Sequence, residues 1–304
     1  MKGKLMHIII ALKPSFWEGL STSDRLTLIG VIVAIVVGLP TIGAFLYPIL
    51  KTRKDKNEKI TILTTAVENA EKLQEKHPQD ALKTYEKILE TLPPNHKLYG
   101  RVKDDEGQCY YYLALIDKKE ENIEHAIAAY EAALKIRIID KYPIDYAETQ
   151  NNLGLAYWQM SLVRDKEGNL SEAIVAYNEA LKIYTIDKYP IDYAMTQINL
   201  GIAYWNMALV RDKESNVSKA IAAYEAALKI YTIDKYPIYY AGTQNNLGNV
   251  YRNMSEVGDK KANLKRAIKY YEEALEIRTE KDYPIYYKKT KSNLDKARGM
   301  LGRE

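Results

Sequence analysis

Four Tyr-Pro pairs stand 47 residues apart in this chain, at Tyr142-Pro143, Tyr189-Pro190, Tyr236-Pro237 and Tyr283-Pro284. A fixed period of that length marks an array of supersecondary units, each too small to bury its apolar face except against its neighbours. Asn-Leu pairs keep the same period, at Asn152, Asn199, Asn246 and Asn293. The unit that starts at Tyr142 matches the one that starts at Tyr189 at 36 of 47 positions. Earlier copies are degenerate: Asp105 and Gly107 fall where Asn152 and Gly154 would be.

Each unit reads as two helices. The first is expected from about Asp145 to Arg164, with Leu153, Ala156, Tyr157, Met160 and Val163 at three-to-four spacing. Pro143 suits its first turn, where a missing N–H costs nothing. The polar run Asp165 to Asn169 predicts a break. A second helix is then expected from about Leu170 to Thr185, with Ala173, Ile174, Tyr177, Ala180, Leu181 and Tyr184 on one face. Asn122, Asn169, Asn216 and Asn263 precede the second helices and are expected as N-caps, with Glu172 completing a capping box after Asn169. Asn169, Asn216 and Asn253 also match N-x-S; capping accounts for the first two, and the membrane topology argued below speaks against glycosylation at all three. Residues 58–77 and 79–92 are further expected helices, and Pro284 to Met300 a closing one whose Lys288, Lys289, Lys291, Asp295 and Lys296 suit solvent.

The order of small and aromatic residues resembles the tetratricopeptide repeat. The matching residues are Leu153, Gly154, Tyr157, Ala173, Tyr177 and Ala180. They return as Leu200, Gly201, Tyr204, Ala220, Tyr224 and Ala227, and again as Leu247, Gly248, Tyr251, Ala267, Tyr271 and Ala274. The usual unit has about 34 residues; these longer ones look more like the Asn-Leu-Gly-containing repeats of the kinesin light chain type. The resemblance covers roughly residues 79 to 298 and is clearest at 95–283. It implies an all-α fold, a right-handed α-solenoid over residues 58–304 of about four and a half hairpins, and a concave groove that binds a protein or peptide segment.

The two closest repeats differ along one first-helix stripe: 148/195, 151/198, 155/202 and 159/206. In the resembling arrays this stripe lines the groove. Here it reads Glu148, Asn151, Leu155, Gln159; then Met195, Ile198, Ile202, Asn206; then Gly242, Asn245, Asn249, Asn253. Trp158, Trp205 and Arg252 lie one step round. Unoccupied, Met195, Ile198, Ile202 and Trp205 would form an exposed apolar patch of the kind that marks an interaction site. The recurring Asn152, Asn199 and Asn246 suit either a ligand backbone or a bond to the adjacent helix, since an amide both donates and accepts. The resembling chaperone-binding arrays need basic residues beside the Asn, where this chain has Glu148, Met195, Asn151 and Ile198. A terminal-carboxylate clamp is therefore not expected there.

Residues 26–50 contain no charged side chain and are long enough to span a bilayer. Residues 1–25 precede this expected transmembrane helix, with residues 1–12 read as an uncleaved interfacial segment. The basic linker 51–57 follows. Two Lys or Arg lie in the 15 residues before the span and five in the 15 after, which places the C-terminal array in the cytoplasm of a single-pass membrane protein. Residues 1–56 hold eight Lys+Arg against three Asp+Glu, net +5; residues 57–304 hold 36 against 37, net −1. The excess charge belongs to the anchor, so nucleic acid is not expected as a partner.

No P-loop, dinucleotide fingerprint or zinc-protease motif is present. The four His share no motif, Cys109 reads as a buried structural thiol, and Asp104-Asp105 reads as exposed helix without a partner. No catalytic residue, metal ligand or cofactor is expected, and the chain is not expected to be an enzyme. The expected function is a membrane-anchored scaffold. Self-association as a homo-oligomer into a membrane assembly, and an adaptor role beside a separate catalytic chain, are the alternatives.

Overall fold

The computed structural model describes residues 56–256 and 258–302, in which eleven α-helices account for all regular structure. Segments 1–25 and 26–50 and most of the linker 51–57 lie outside the described residues. Among the described residues no helix is long and apolar enough to cross a membrane. The chain divides into two compact units, the first up to Asp145 and the second from Tyr146. The first holds α1 (Lys56–Glu71), α2 (Pro78–Thr91), α3 (Lys97–Ala114) and α4 (Lys119–Leu134). Apart from the opening residues of α5, the second holds α5 (Pro143–Met160), α6 (Lys166–Leu181), α7 (Pro190–Ala208), α8 (Lys213–Leu228), α9 (Pro237–Met254), α10 (Lys260–Ile277) and α11 (Pro284–Leu301). Within each unit, short connections bring consecutive helices back antiparallel. Pro190, Pro237 and Pro284 occupy the first turn of their helices, as expected.

One contact repeats in the four hairpins from α3–α4 to α9–α10. A Cβ at Gly107, Gly154, Gly201 or Gly248 would lie 2.6, 2.7, 2.7 or 2.5 Å from the ring of Tyr130, Tyr177, Tyr224 or Tyr271. Each tyrosine is essentially fully buried. The glycine lets the second helix press an aromatic face onto first-helix backbone, and buried alanines (Ala126 and Ala133, Ala173 and Ala180, Ala220 and Ala227, Ala267 and Ala274) close the rest of the seam. The tyrosine excess serves the long connections as well. Tyr231 donates to the Ile191 carbonyl at 3.2 Å, stacks on Tyr239 at 4.7 Å between centroids, and meets Tyr236 edge-on at 5.4 Å.

The second helices begin a turn earlier than their sequence suggests, and the asparagines do not cap them. The residue before α6 is Asp165, in the left-handed region at φ 38°, and its Oδ1 accepts from Gly168 N at 3.1 Å. Lys118 and Asp212 hold the same conformation before α4 and α8. Asn169 instead lies inside the first turn of α6, where its Nδ2 donates back to the carbonyls of Arg164 (2.9 Å) and Asp165 (3.1 Å). Asn122, Asn216 and Asn263 donate in the same way to Asp117, Arg211 and Met254 at 2.8, 2.9 and 3.4 Å. The amide thus serves orphan carbonyls between the helices rather than an orphan N–H. With Asp165 at the N-cap and Asn169 already inside the helix, the expected Asn169–Glu172 capping box does not form. The first helix stops at Met160, because Val163 N and Arg164 N both turn back to its carbonyl at 2.8 and 3.0 Å.

The α3 acids also depart from expectation. Asp104 is 1% exposed, and Asp105 and Glu106 are buried beside it. Arg137, beyond the end of α4, reaches Asp104 Oδ2 at 3.3 Å, which also accepts from Gln108 Nε2 at 3.2 Å. Lys103 pairs with Glu106 at 2.6 Å, and Arg101 with Glu71 of α1 at 2.6 Å. Cys109 is fully buried and its thiol is pushed up by burial, then by Asp105 and Glu106, which suits a structural thiol.

Asp105 Oδ2 has no hydrogen-bond partner. Burial, then Glu71 and Asp104, hold its carboxyl well above the usual carboxylate range, against the opposing pull of Arg137 and Arg101. An acid whose folded pKa is raised stabilises the fold fully below its unfolded value of about 3.9, and that contribution is lost as pH rises through the folded value. Asp105→Asn keeps the shape and offers N–H groups toward Glu71 and Asp104. We expect it to raise stability by about 1–3 kcal/mol at neutral pH, the cost of an unsatisfied buried polar group. In urea denaturation the gain over wild type should shrink as pH is lowered; a gain independent of pH would contradict this account.

Candidate binding surface

All the stripe residues belong to α5, α7 and α9, within the second unit. They sit about a quarter turn from the glycines that meet the second helices, since each residue advances about 100° around the axis. Glu148 is exposed, and Asn151, Asn152, Leu155, Trp158 and Gln159 are half-buried. On α7, Met195 is 40% exposed, while Ile198, Asn199, Ile202, Trp205 and Asn206 are half-buried. On α9, Asn245 is buried, and Asn246, Asn249, Arg252 and Asn253 are half-buried.

Burial corrects the expectation of an exposed apolar patch. Ile198, Ile202 and Trp205 pack on a core cluster that contains Leu247, Val250 and Leu264. Of the four apolar residues only Met195 is exposed, and that in part. The position shared by Asn151, Ile198 and Asn245 faces the next repeat. Asn151 Oδ1 accepts from Thr196 Oγ1 at 3.2 Å and from Asn199 Nδ2 at 3.3 Å. Asn245 Oδ1 accepts from Asn293 Nδ2 at 3.3 Å. Between these two amide bridges, Ile198 substitutes an apolar contact. Much of the variation along the stripe is therefore an alternation of polar and apolar joints between first helices, and Asn199 and Asn293 both use their N–H groups on the adjacent first helix.

Other stripe groups are also engaged within the array. Asn249 Oδ1 accepts from Tyr271 OH at 2.9 Å, and burial pushes that phenol up to about 12. Asn206 Nδ2 donates to the Ile202 carbonyl at 2.8 Å. Arg252 Nη1 donates to Asn293 Oδ1 at 3.4 Å. The indole N–H of Trp158 is buried and has no acceptor. The sequence reading missed Thr196, whose hydroxyl helps lock the first bridge, although a Thr recurs there as Thr149, Thr243 and Thr290. It also missed Arg278. That guanidinium, buried after α10, donates from Nη1 to Thr290 Oγ1 at 3.0 Å and lies 4.9 Å from the Tyr286 ring centre.

Stacked helical hairpins with a glycine–tyrosine seam define an all-α repeat array, the construction of an α-solenoid. The family model of the tetratricopeptide repeat matches residues 107–137, in the first unit, and residues 147–186 and 241–281, in the second. No curated protein sequence matches the chain. Among the described residues no group of three or more His, Cys, Asp or Glu side chains could hold a metal ion.

Proposed function

We propose that this chain is a membrane-anchored tetratricopeptide scaffold that holds a protein or peptide segment against the first-helix stripe of its second unit. The supporting observation is the residual open surface of that stripe. Met195 exposes an apolar side chain to water, and the indoles Trp158 and Trp205, further along the same face, are half-buried. Repeat arrays use such faces for protein–protein interaction. The anchor is the charge-free stretch 26–50, and the Lys and Arg content after it supports a cytoplasmic array. The right-handed sense of the solenoid belongs to the same reading.

Met195 is the residue to change, because Ile198 and Trp205 are packed and their loss would disturb the fold. Full-length Met195→Glu in detergent should capture a wild-type partner about tenfold less well, as expected for loss of a single anchor worth about 1.4 kcal/mol. Its thermal midpoint should be unchanged. Undiminished capture would remove the stripe from the proposal. Protease protection in inverted vesicles tests the anchor separately, and an array protected from external protease there would reverse the topology. A second reading, self-association, is favoured by the exposed apolar pairs Leu162-Val163 and Leu209-Val210 at the hairpin tips. Light scattering of the full chain at rising concentration addresses it.

A further inference from the structure

A cleft of about 810 Å³ opens in the second unit, lined by α9, its following turn and α11. Its chemistry departs from the repeat. One period back from Lys288, Lys291 and Asp295 stand Ala241, Gln244 and Gly248, all buried in α9. Gly248 is the seat of Tyr271 from α10. No helix follows α11 among the described residues, and the positions that would receive one carry charge and line the cleft.

Four cations face the cleft, Arg252, Lys288, Lys291 and Lys296, against two acids, Glu256 and Asp295. Lys291 is committed to Asp295 at 3.2 Å. Arg252 Nη1 reaches Asn293 Oδ1 of α11 at 3.4 Å, which leaves its other N–H donors for a ligand. Lys288 and Lys296 are exposed, on flexible stems that can follow an anion. Residues 57–304 as a whole carry a net charge of −1, so this concentration of positive charge is local. Ser292 and Tyr287 on the same wall add hydroxyl groups.

We propose that the α9–α11 cleft binds an acidic segment of a partner protein, its carboxylates held by Arg252, Lys288 and Lys296. This rests on the reading of the chain as a protein-binding array and adds the chemistry that its α9–α11 end accepts. Ammonium and guanidinium groups form charge-assisted hydrogen bonds to carboxylates, and at a water-exposed site that attraction weakens with salt.

The test uses the full chain in detergent and a fluorescein-labelled octaglutamate peptide, read by fluorescence anisotropy, with octalysine as the opposite-charge probe. Octaglutamate should bind and octalysine should not, and binding should weaken as salt is raised. Lys288→Glu with Lys296→Glu should weaken octaglutamate by about tenfold or more, two like charges having replaced two opposite ones. The double Lys→Arg variant should retain binding. Circular dichroism of both variants should match wild type, since these side chains are exposed. Octaglutamate affinity unchanged by charge reversal, or octalysine binding equal to it, would overturn the proposal. Met195→Glu separates the two readings. It should leave octaglutamate binding intact, so a failure of partner capture there and a failure of acid recognition here are read independently.

Discussion

Arg137→Met should destabilise the first unit by about 3–5 kcal/mol, the cost of leaving one member of a buried ion pair alone. Arg137 and Asp104 are both almost fully buried, their side chains 6% and 1% exposed, and their contact at 3.3 Å joins the segment after α4 to the middle of α3. Arg137 Nη1 also donates to the Asp145 carbonyl at 3.4 Å, so the substitution loosens the connection into α5 as well. Without the guanidinium, Asp104 remains beside Asp105 and near Glu106 in a site with little water. The second half of the expectation concerns the double variant. Asp104→Leu with Arg137→Met removes both charges and should recover most of the loss, because apolar residues of similar volume replace a buried pair at little cost. Urea denaturation of the two variants measures both quantities. If the single substitution cost less than about 1 kcal/mol, like an exposed pair, the buried pair would not hold this unit together.

The second large effect is expected at the glycine–tyrosine seam. Gly201→Val places a branched side chain where even a Cβ would stand 2.7 Å from the Tyr224 ring. The ring is 1% exposed and has no room to retreat. Overpacking of this kind costs about 1–3 kcal/mol. Tyr224→Ala empties the same space and should cost about 3–5 kcal/mol. The two changes occupy one volume, so together they should cost clearly less than their sum, with a coupling of about 1 kcal/mol or more. A double-variant cycle by thermal or chemical denaturation decides the matter, and strict additivity would mean that the two residues do not share a contact.

The seam was legible in the sequence because it is periodic. Small residues and tyrosines recur every 47 positions, and an aromatic beside a glycine on a facing helix has one good use. Helix identity, order and the packed face were legible for the same reason. The role of the asparagines was not. Asn169 sits four residues after Asp165, and a side chain that both donates and accepts gives no hint from composition that it will serve carbonyls behind it. The burial of Asp104, Asp105 and Glu106 was hidden for a different reason. Arg137, the partner of Asp104, and Glu71, the like charge that faces Asp105, lie some 30 residues away in either direction, and a run of acids on its own reads as solvated. The stripe was half legible. Its variability is real, but at Asn151, Ile198 and Asn245 the variation answers to the neighbouring first helix, a pairing visible only once Asn199 and Asn293 are seen to reach across.

Because each of the four hairpins from α3–α4 to α9–α10 carries both halves of its own socket, the glycine and the tyrosine, the array has a unit of length change. Gain or loss of a whole 47-residue period leaves every tyrosine opposite a glycine. A change of one residue fewer turns the following helix by about 100° and sets its tyrosine against the wrong neighbour. The period therefore acts as a ruler. Evolution can lengthen or shorten such an array in whole steps at little structural cost, and almost nowhere in between.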